Sequence, residues 1–170
     1  MTDERARVIP DPGFGDDDGS ADPALTTALT SYAASTVGLA DVLGVLQDAR
    51  LLVPVVAVLG EAAVDVQGLA RDKTSDMAAV LVARPDGRRG LLAFSGQATL
   101  RRWDSGARPV PVTARLAARA ALQEGADALV VDLAGPASAA VTGDHLQALA
   151  AGWRLTRVGE RSGWIRPAGE

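Results

Sequence analysis

The run Asp72-Lys73-Thr74-Ser75-Asp76 is the most charged and polar stretch in the body of the chain. It packs two carboxylates, two hydroxyls and the chain's only lysine into five residues. Loops with such side chains bind small ligands or touch partners. The same residue types also bond their own backbone in turns, and a loop that merely precedes a strand is the favoured reading of the run. Ser95, followed by Gly96, comes after the next apolar stretch and belongs to the same candidate contact surface. His145 is the only histidine. An imidazole could act as a general base near neutral pH, but no Gly-x-Ser-x-Gly elbow offers it a nucleophile. It reads as an exposed side chain without a task. Asp65, Asp104, Asp127, Asp132 and Asp144 are scattered carboxylates that helix caps and turns explain. No catalytic residue is assigned, and the chain leans away from an enzyme.

Several chemistries are closed by what the sequence lacks. Asp72-Lys73-Thr74 begins like the aspartyl-phosphate motif of ion-pumping ATPases. That motif needs Gly-Thr next and an apolar strand immediately before it. Here Ser75-Asp76 follow and Gly68-Leu69-Ala70-Arg71 precede. No Gly-x-Gly-x-x-Gly opens a helix after a strand, and no Walker glycine loop precedes Lys73. The absence of cysteine removes disulfides, thiolate zinc sites, iron–sulfur clusters and a cysteine nucleophile. Asp16-Asp17-Asp18 lacks the oxygen spacing and terminal glutamate of a calcium loop. No metal and no cofactor is expected.

The formal charge of −4 is unevenly spread. Residues 1–24 hold seven acids against two arginines, residues 151–170 hold four arginines against two glutamates, and the body between is close to neutral. Residues 1–21 form an acidic, Pro/Gly-rich leader that reads as extended or disordered. Within it Ile9 and Phe14 could pin the segment to the body or to a partner. At the other end Trp153, Arg154, Arg157, Arg161, Trp164 and Arg166 interleave arginine with tryptophan. Such mixing can stack bases, yet a terminal strand with tryptophans inward and arginines outward gives the same pattern. Nucleic-acid binding is disfavoured, because its basic footprint is usually much stronger. The opening residues carry charges and no apolar core, unlike a secretory signal. The longest apolar run, residues 51–60, is broken by Pro54 and too short to span a bilayer. The expectation is a cytoplasmic protein with no membrane contact.

The elements that must position these residues follow from local signals. Asp22-Pro23 is a helix start, with Leu25, Leu29 and Tyr32 on one face. A second amphipathic stretch carries Leu39, Val42, Leu43 and Leu46. Residues 51–59 read as a strand, and Pro54 within it suggests one unpaired side. Val64 and Val66 suggest a short strand. Residues 77–83 and 91–94 flank Pro85-Asp86-Gly87-Arg88, the clearest hairpin in the chain. Both its arms are apolar on both faces, which places it centrally between layers. Ser95 is expected to cap a short helix reaching Trp103. Residues 108–112 are a linker or edge. Thr113 caps an alanine-rich helix stopped by Gly125, and residues 128–133 form a buried strand. Asp144 with Gln147 has capping-box spacing, and residues 153–165 suggest a terminal hairpin. The fold expected is α/β (α+β), a single domain over residues 22–170. It has a mixed sheet, a central hairpin and helices packed against it. Its core should include Leu29, Val55, Val58, Val80, Leu81, Leu92, Phe94, Trp103, Leu129, Val131 and Leu149.

Asp11-Pro12-Gly13-Phe14, Leu51-Leu52-Val53-Pro54-Val55, the 72–77 run, Leu92-Ala93-Phe94-Ser95-Gly96 with Arg102-Trp103-Asp104, and the stretch from Ala126 to Asp132 followed by Ala134-Gly135-Pro136 resemble the actinobacterial branch of the SseB N-terminal-domain family. The resemblance covers about residues 9–152. It implies a compact α/β domain and carries over no catalytic motif. The leading reading is a non-enzymatic protein-interaction or regulatory module with a protein partner or a second copy of itself, a homodimer being compatible with an exposed sheet edge. The alternative is a small-ligand or enzymatic domain using the 72–76 loop.

Overall fold

The structure, a computed structural model, describes residues 13–58 and 76–169. At residues 57, 58, 76 and 77 only the backbone is described. Helix α1 (Pro23–Ala33) starts where the local chemistry requires. Asp22 accepts the Ala24 N–H at 2.8 Å, and Pro23 takes the first helical position, where its missing N–H costs nothing. Leu25 and Leu29 are buried and Tyr32 half-buried. In α2 (Leu39–Leu46) the Asp41 side chain reaches back to the Gly38 N–H at 3.0 Å, and Val42, Leu43 and Leu46 are buried.

Among the described residues the strands are β1 (Arg50–Val58), β2 (Asp76–Ala79), β3 (Leu81–Ala83), β4 (Arg89–Ala93), β5 (Arg108–Thr113), β6 (Ala128–Val131), β7 (Ala139–Thr142), β8 (Arg154–Val158) and β9 (Arg161–Ile165). Between them lie α3 (Gln97–Trp103), α4 (Ala114–Gln123) and α5 (Gly143–Ala150). One sheet has the order β2-β1-β5, a second β3-β4-β6-β7, and β8 with β9 forms a two-stranded third. The β4–β6 pair is parallel and the other pairs are antiparallel, so the arrangement is mixed α+β. Leu52 and Phe94 exchange both backbone hydrogen bonds, which stitches the first sheet to the second. From there β1 and β4 diverge. The chain turns a corner at Val80, whose N–H donates to Pro54 O on one side while its carbonyl accepts the Leu92 N–H on the other. The first arm of the sequence hairpin is therefore two short strands in two sheets. Only Leu81–Ala83 pairs with β4, which itself lies inside the second sheet.

The main core lies between the sheets and α1, α2, α4 and α5, and includes Leu25, Leu43, Leu51, Leu91, Leu129 and Leu149. Four alanines of α4 (Ala114, Ala117, Ala118 and Ala121) are buried and bring that helix close to the strands, while Leu116 faces out. Thr113 Oγ1 accepts the Leu116 N–H, and Gly125, at φ +66°, ends the helix, with Ala126 N–H reaching back to Ala121 O. A smaller cluster of Leu52, Leu92, Phe94 and Leu100 lies on the other face under α3. β4 is thus buried on both faces.

Four of the expected core residues are only half-buried: Val55, Val80, Leu81 and Trp103. Val80 sits at the corner, Leu81 on an outer strand, and Trp103 at the end of α3 against Phe94, with ring centroids 5.6 Å apart. The Val58 side chain lies outside the described residues, as do Val64 and Val66. Two caps differ from expectation. Ser95 does not cap α3, because its hydroxyl is turned to Asp132, and Gly96 holds the cap position. Asp144 lies inside the first turn of α5, whose cap position is Thr142.

Pro54 marks no edge. The Leu52 N–H points to β4, so Pro54, two residues on, also directs its nitrogen away from β5 and into the fork between β1 and β4. Across the ladder, Pro111 faces Leu52 and Pro109 faces Pro54. Their nitrogens therefore point out of the sheet, and the outer edge of β5 offers no donor at either position.

Candidate functional site

The carboxyl ends of the adjacent parallel strands β4 and β6 carry Ser95 and Asp132, each 3 % exposed. Such strand ends are where open α/β sheets hold ligands. Asp132 N–H continues the ladder to Ala93 O. Its backbone then turns to φ +56°, a left-handed conformation that aspartate tolerates. The carboxyl group so aimed accepts the Ser95 N–H at 2.8 Å, the Ser95 hydroxyl at 2.6 Å and the Thr99 hydroxyl at 2.7 Å. Every polar group in this cluster is occupied by another. It ties the ends of two strands to the start of α3 and leaves no hydroxyl turned to solvent.

Arg50, at the start of β1, stands beside the cluster. Its Nη1 donates to Ser95 O at 3.0 Å and its Nη2 to Asp17 Oδ1 at 2.8 Å and to Ser20 O. Nε lies 2.7 Å from Asp17 Oδ2, an ion contact without hydrogen-bond alignment. The side chains of Arg50 and Asp17 are 16 % and 13 % exposed. Residues 13–21, which form neither helix nor strand, thereby lie across the strand ends, and Gln97 N–H donates to Gly19 O at 2.8 Å. The Ser20 hydroxyl and amide hold the Asp18 carboxyl below its usual pKa.

Of the residues singled out by sequence, Asp72, Lys73, Thr74, Ser75 and Ile9 lie outside the described residues. Asp76 opens β2 with its backbone alone described. Phe14 is half-buried, and Ser95 is in the cluster above. Asp132, Thr99, Arg50 and Asp17 were missed as a group. The available signal was that Ser95 and Asp132 each directly follow an apolar strand.

A depression of about 880 Å³ runs along β6 and β7, from Gly90 and Thr142 to Leu133 and Ser138. Val82, Gly90, Val130, Ala140 and Leu133 contribute apolar surface, and Arg84, Arg88 and Arg89 stand on its rim. Arg88 is shared with Asp86 at 2.8 Å, which lowers the Asp86 pKa. Arg89 Nη2 donates to Gly125 O at 2.9 Å.

The C-terminal hairpin packs on α2 and α5. Arg154 pairs with Asp48, which lowers the pKa of that carboxyl, and Arg157 pairs with Asp41 at 3.1 Å. His145 is half-buried, not exposed: Trp164 Nε1–H donates to its Nδ1 at 2.9 Å. Among the described residues no group of acids and histidines could hold a metal ion, and no helix is long and apolar enough to cross a membrane.

No curated protein and no solved structure matches the chain. A family model does: that of the SseB protein N-terminal domain, over residues 25–148, a span that runs from α1 into α5 and includes Arg50, Ser95, Thr99 and Asp132. The chain belongs to the SseB N-terminal-domain family.

Proposed function

We propose that the chain is a non-enzymatic protein-interaction module. Its docking surface is the arginine-rimmed depression on the β3-β4-β6-β7 sheet, and its partner is a protein segment carrying acidic side chains around apolar anchors. The observation that carries this reading is the pairing of an apolar surface at Val82, Val130 and Leu133 with Arg84 at the rim, where Arg88 is partnered by Asp86 and Arg89 by Gly125 O. Apolar anchors gain from burial there, and guanidinium groups select carboxylates at the rim. The Ser95–Asp132 cluster supports the non-enzymatic part, because its hydroxyls are committed to a buried carboxyl. Arg154 and Arg157 are committed to Asp48 and Asp41, which lends nothing to nucleic-acid binding.

The test is photo-crosslinking in cells from a benzoylphenylalanine placed at Ala140, an exposed position of the depression. A discrete crosslinked protein species is expected, and it should fade with Arg84→Glu. Crosslinking that is absent, or indifferent to Arg84→Glu, rejects the reading.

A further inference from the structure

Residues 13–21 are held on the body mainly by polar contacts. Asp17 and Ser20 O meet Arg50, and Gly19 O meets the Gln97 amide. Among these nine residues only Gly19 is buried, and it brings no side chain. A segment with so little apolar burial opens at low free energy compared with the core. Its central ion contact is also imperfect, since Asp17 Oδ2 is out of water without an aligned donor.

The surface beneath is built more carefully than the strap that covers it. Arg50 is oriented by Ser95 O, and Ser95 by Asp132. Gly96 leaves room for the strap backbone: a Cβ there would sit 2.7 Å from Ala21 N. The Gln97 N–H, at the start of α3, has no helical acceptor of its own and takes one from the strap.

We propose that residues 13–21 are the intrachain occupant of a docking groove for an extended acidic segment of a partner protein. The seated strap defines the recognition. A carboxylate at one position meets the Arg50 fork, a carbonyl two residues later meets Gln97 N–H, and the next carbonyl returns to Arg50. Glycine fits the middle position, where φ is +78°. This groove shares none of Arg50, Ser95, Gly96, Gln97 and Asp132 with the lining of the depression and does not rest on that reading. When the strap opens, it stays tethered at Asp22-Pro23 and competes at an effective concentration on the order of millimolar.

The probe is a fluorescent peptide of residues 13–21, titrated by anisotropy into the full chain and into the full chain carrying Asp17→Ala. The peptide should bind the Asp17→Ala chain at least about tenfold more tightly than the unaltered chain. Binding should be lost when Arg50→Gln is added, and a peptide with asparagine for Asp17 should bind at least about tenfold more weakly. Equal binding to both chains, no binding to a folded Asp17→Ala chain, or indifference to Arg50 overturns the proposal. So does an Asp17→Ala chain that cannot fold, because the strap would then be part of the core. Hydrogen exchange on the unaltered chain gives a second reading. The Gln97 amide should exchange at least about tenfold faster than that of Phe94, and equal protection overturns the proposal.

Discussion

Asp132→Ala removes the one acceptor shared by three donors at the strand ends. Two of those donors, the N–H and hydroxyl of Ser95, belong to a residue that is 3 % exposed. The hydroxyl can rotate, but the amide cannot. A buried donor left without an acceptor costs about 1–3 kcal/mol. Thr99 loses less, since its hydroxyl also reaches Gly96 O at 3.1 Å. Alanine tolerates the left-handed backbone at position 132 less well than aspartate, by about 1 kcal/mol. The expected loss is therefore about 2–4 kcal/mol. Asp132→Asn keeps one carbonyl oxygen for Ser95 N–H and tolerates the same φ. Ser95 Oγ then turns from donor to acceptor, and the cost should be about 1 kcal/mol. Urea unfolding followed by far-ultraviolet circular dichroism separates the two variants. In thermal melts each kcal/mol should shift the midpoint by about 2–4 °C for a chain of this size. A loss below about 1 kcal/mol for Asp132→Ala, or equal losses for both variants, would refute the argument from unsatisfied donors.

Three further outcomes are expected. Trp164→Phe removes the donor to His145 Nδ1 and should cost about 1 kcal/mol; nitrogen NMR should show His145 as the Nε2–H tautomer in the parent and a shifted Nδ1 in the variant. Replacing Pro109 and Pro111 together by threonine restores two outward donors on β5. Sedimentation velocity should then show self-association absent from the parent, and an unchanged sedimentation profile would count against the blocked-edge argument. The Asp48 carboxyl is held below its usual pKa by Arg154. Its contribution is therefore present above the ordinary carboxylate range and lost as pH falls through the lowered value. Both side chains are more than half exposed, so solvent screening leaves well under about 1 kcal/mol. The attachment of the C-terminal hairpin to α2 should weaken in acid and in high salt, read by tryptophan fluorescence.

What was legible in the sequence was what is local. Asp22-Pro23, Thr113 and Gly125 act within a few residues of themselves, and each stands where the text of the chain placed it. The burial of β4 on both faces was legible as an unbroken apolar run. Ser95 was misread as a helix cap because its partner lies 37 residues away, across a parallel pairing that no short motif announces. His145 was misread because Trp164 is 19 residues on, and Arg50 was passed over because Asp17 is 33 residues back. Pro54 inside an apolar run suggests an unpaired side of the strand. Its meaning depends on which way its nitrogen points, and that is fixed only once Leu52 is paired with Phe94.

The corner at Val80 has a consequence for how the molecule comes apart. One residue donates its amide to the first sheet and lends its carbonyl to the second. The Leu52–Phe94 exchange closes the same seam a few residues away. Neither sheet can then melt while the other keeps its full complement of hydrogen bonds, because the seam residues belong to both. The two sheets form one cooperative unit, so amides on β1 and on β4 should lose protection together, at the free energy of global unfolding.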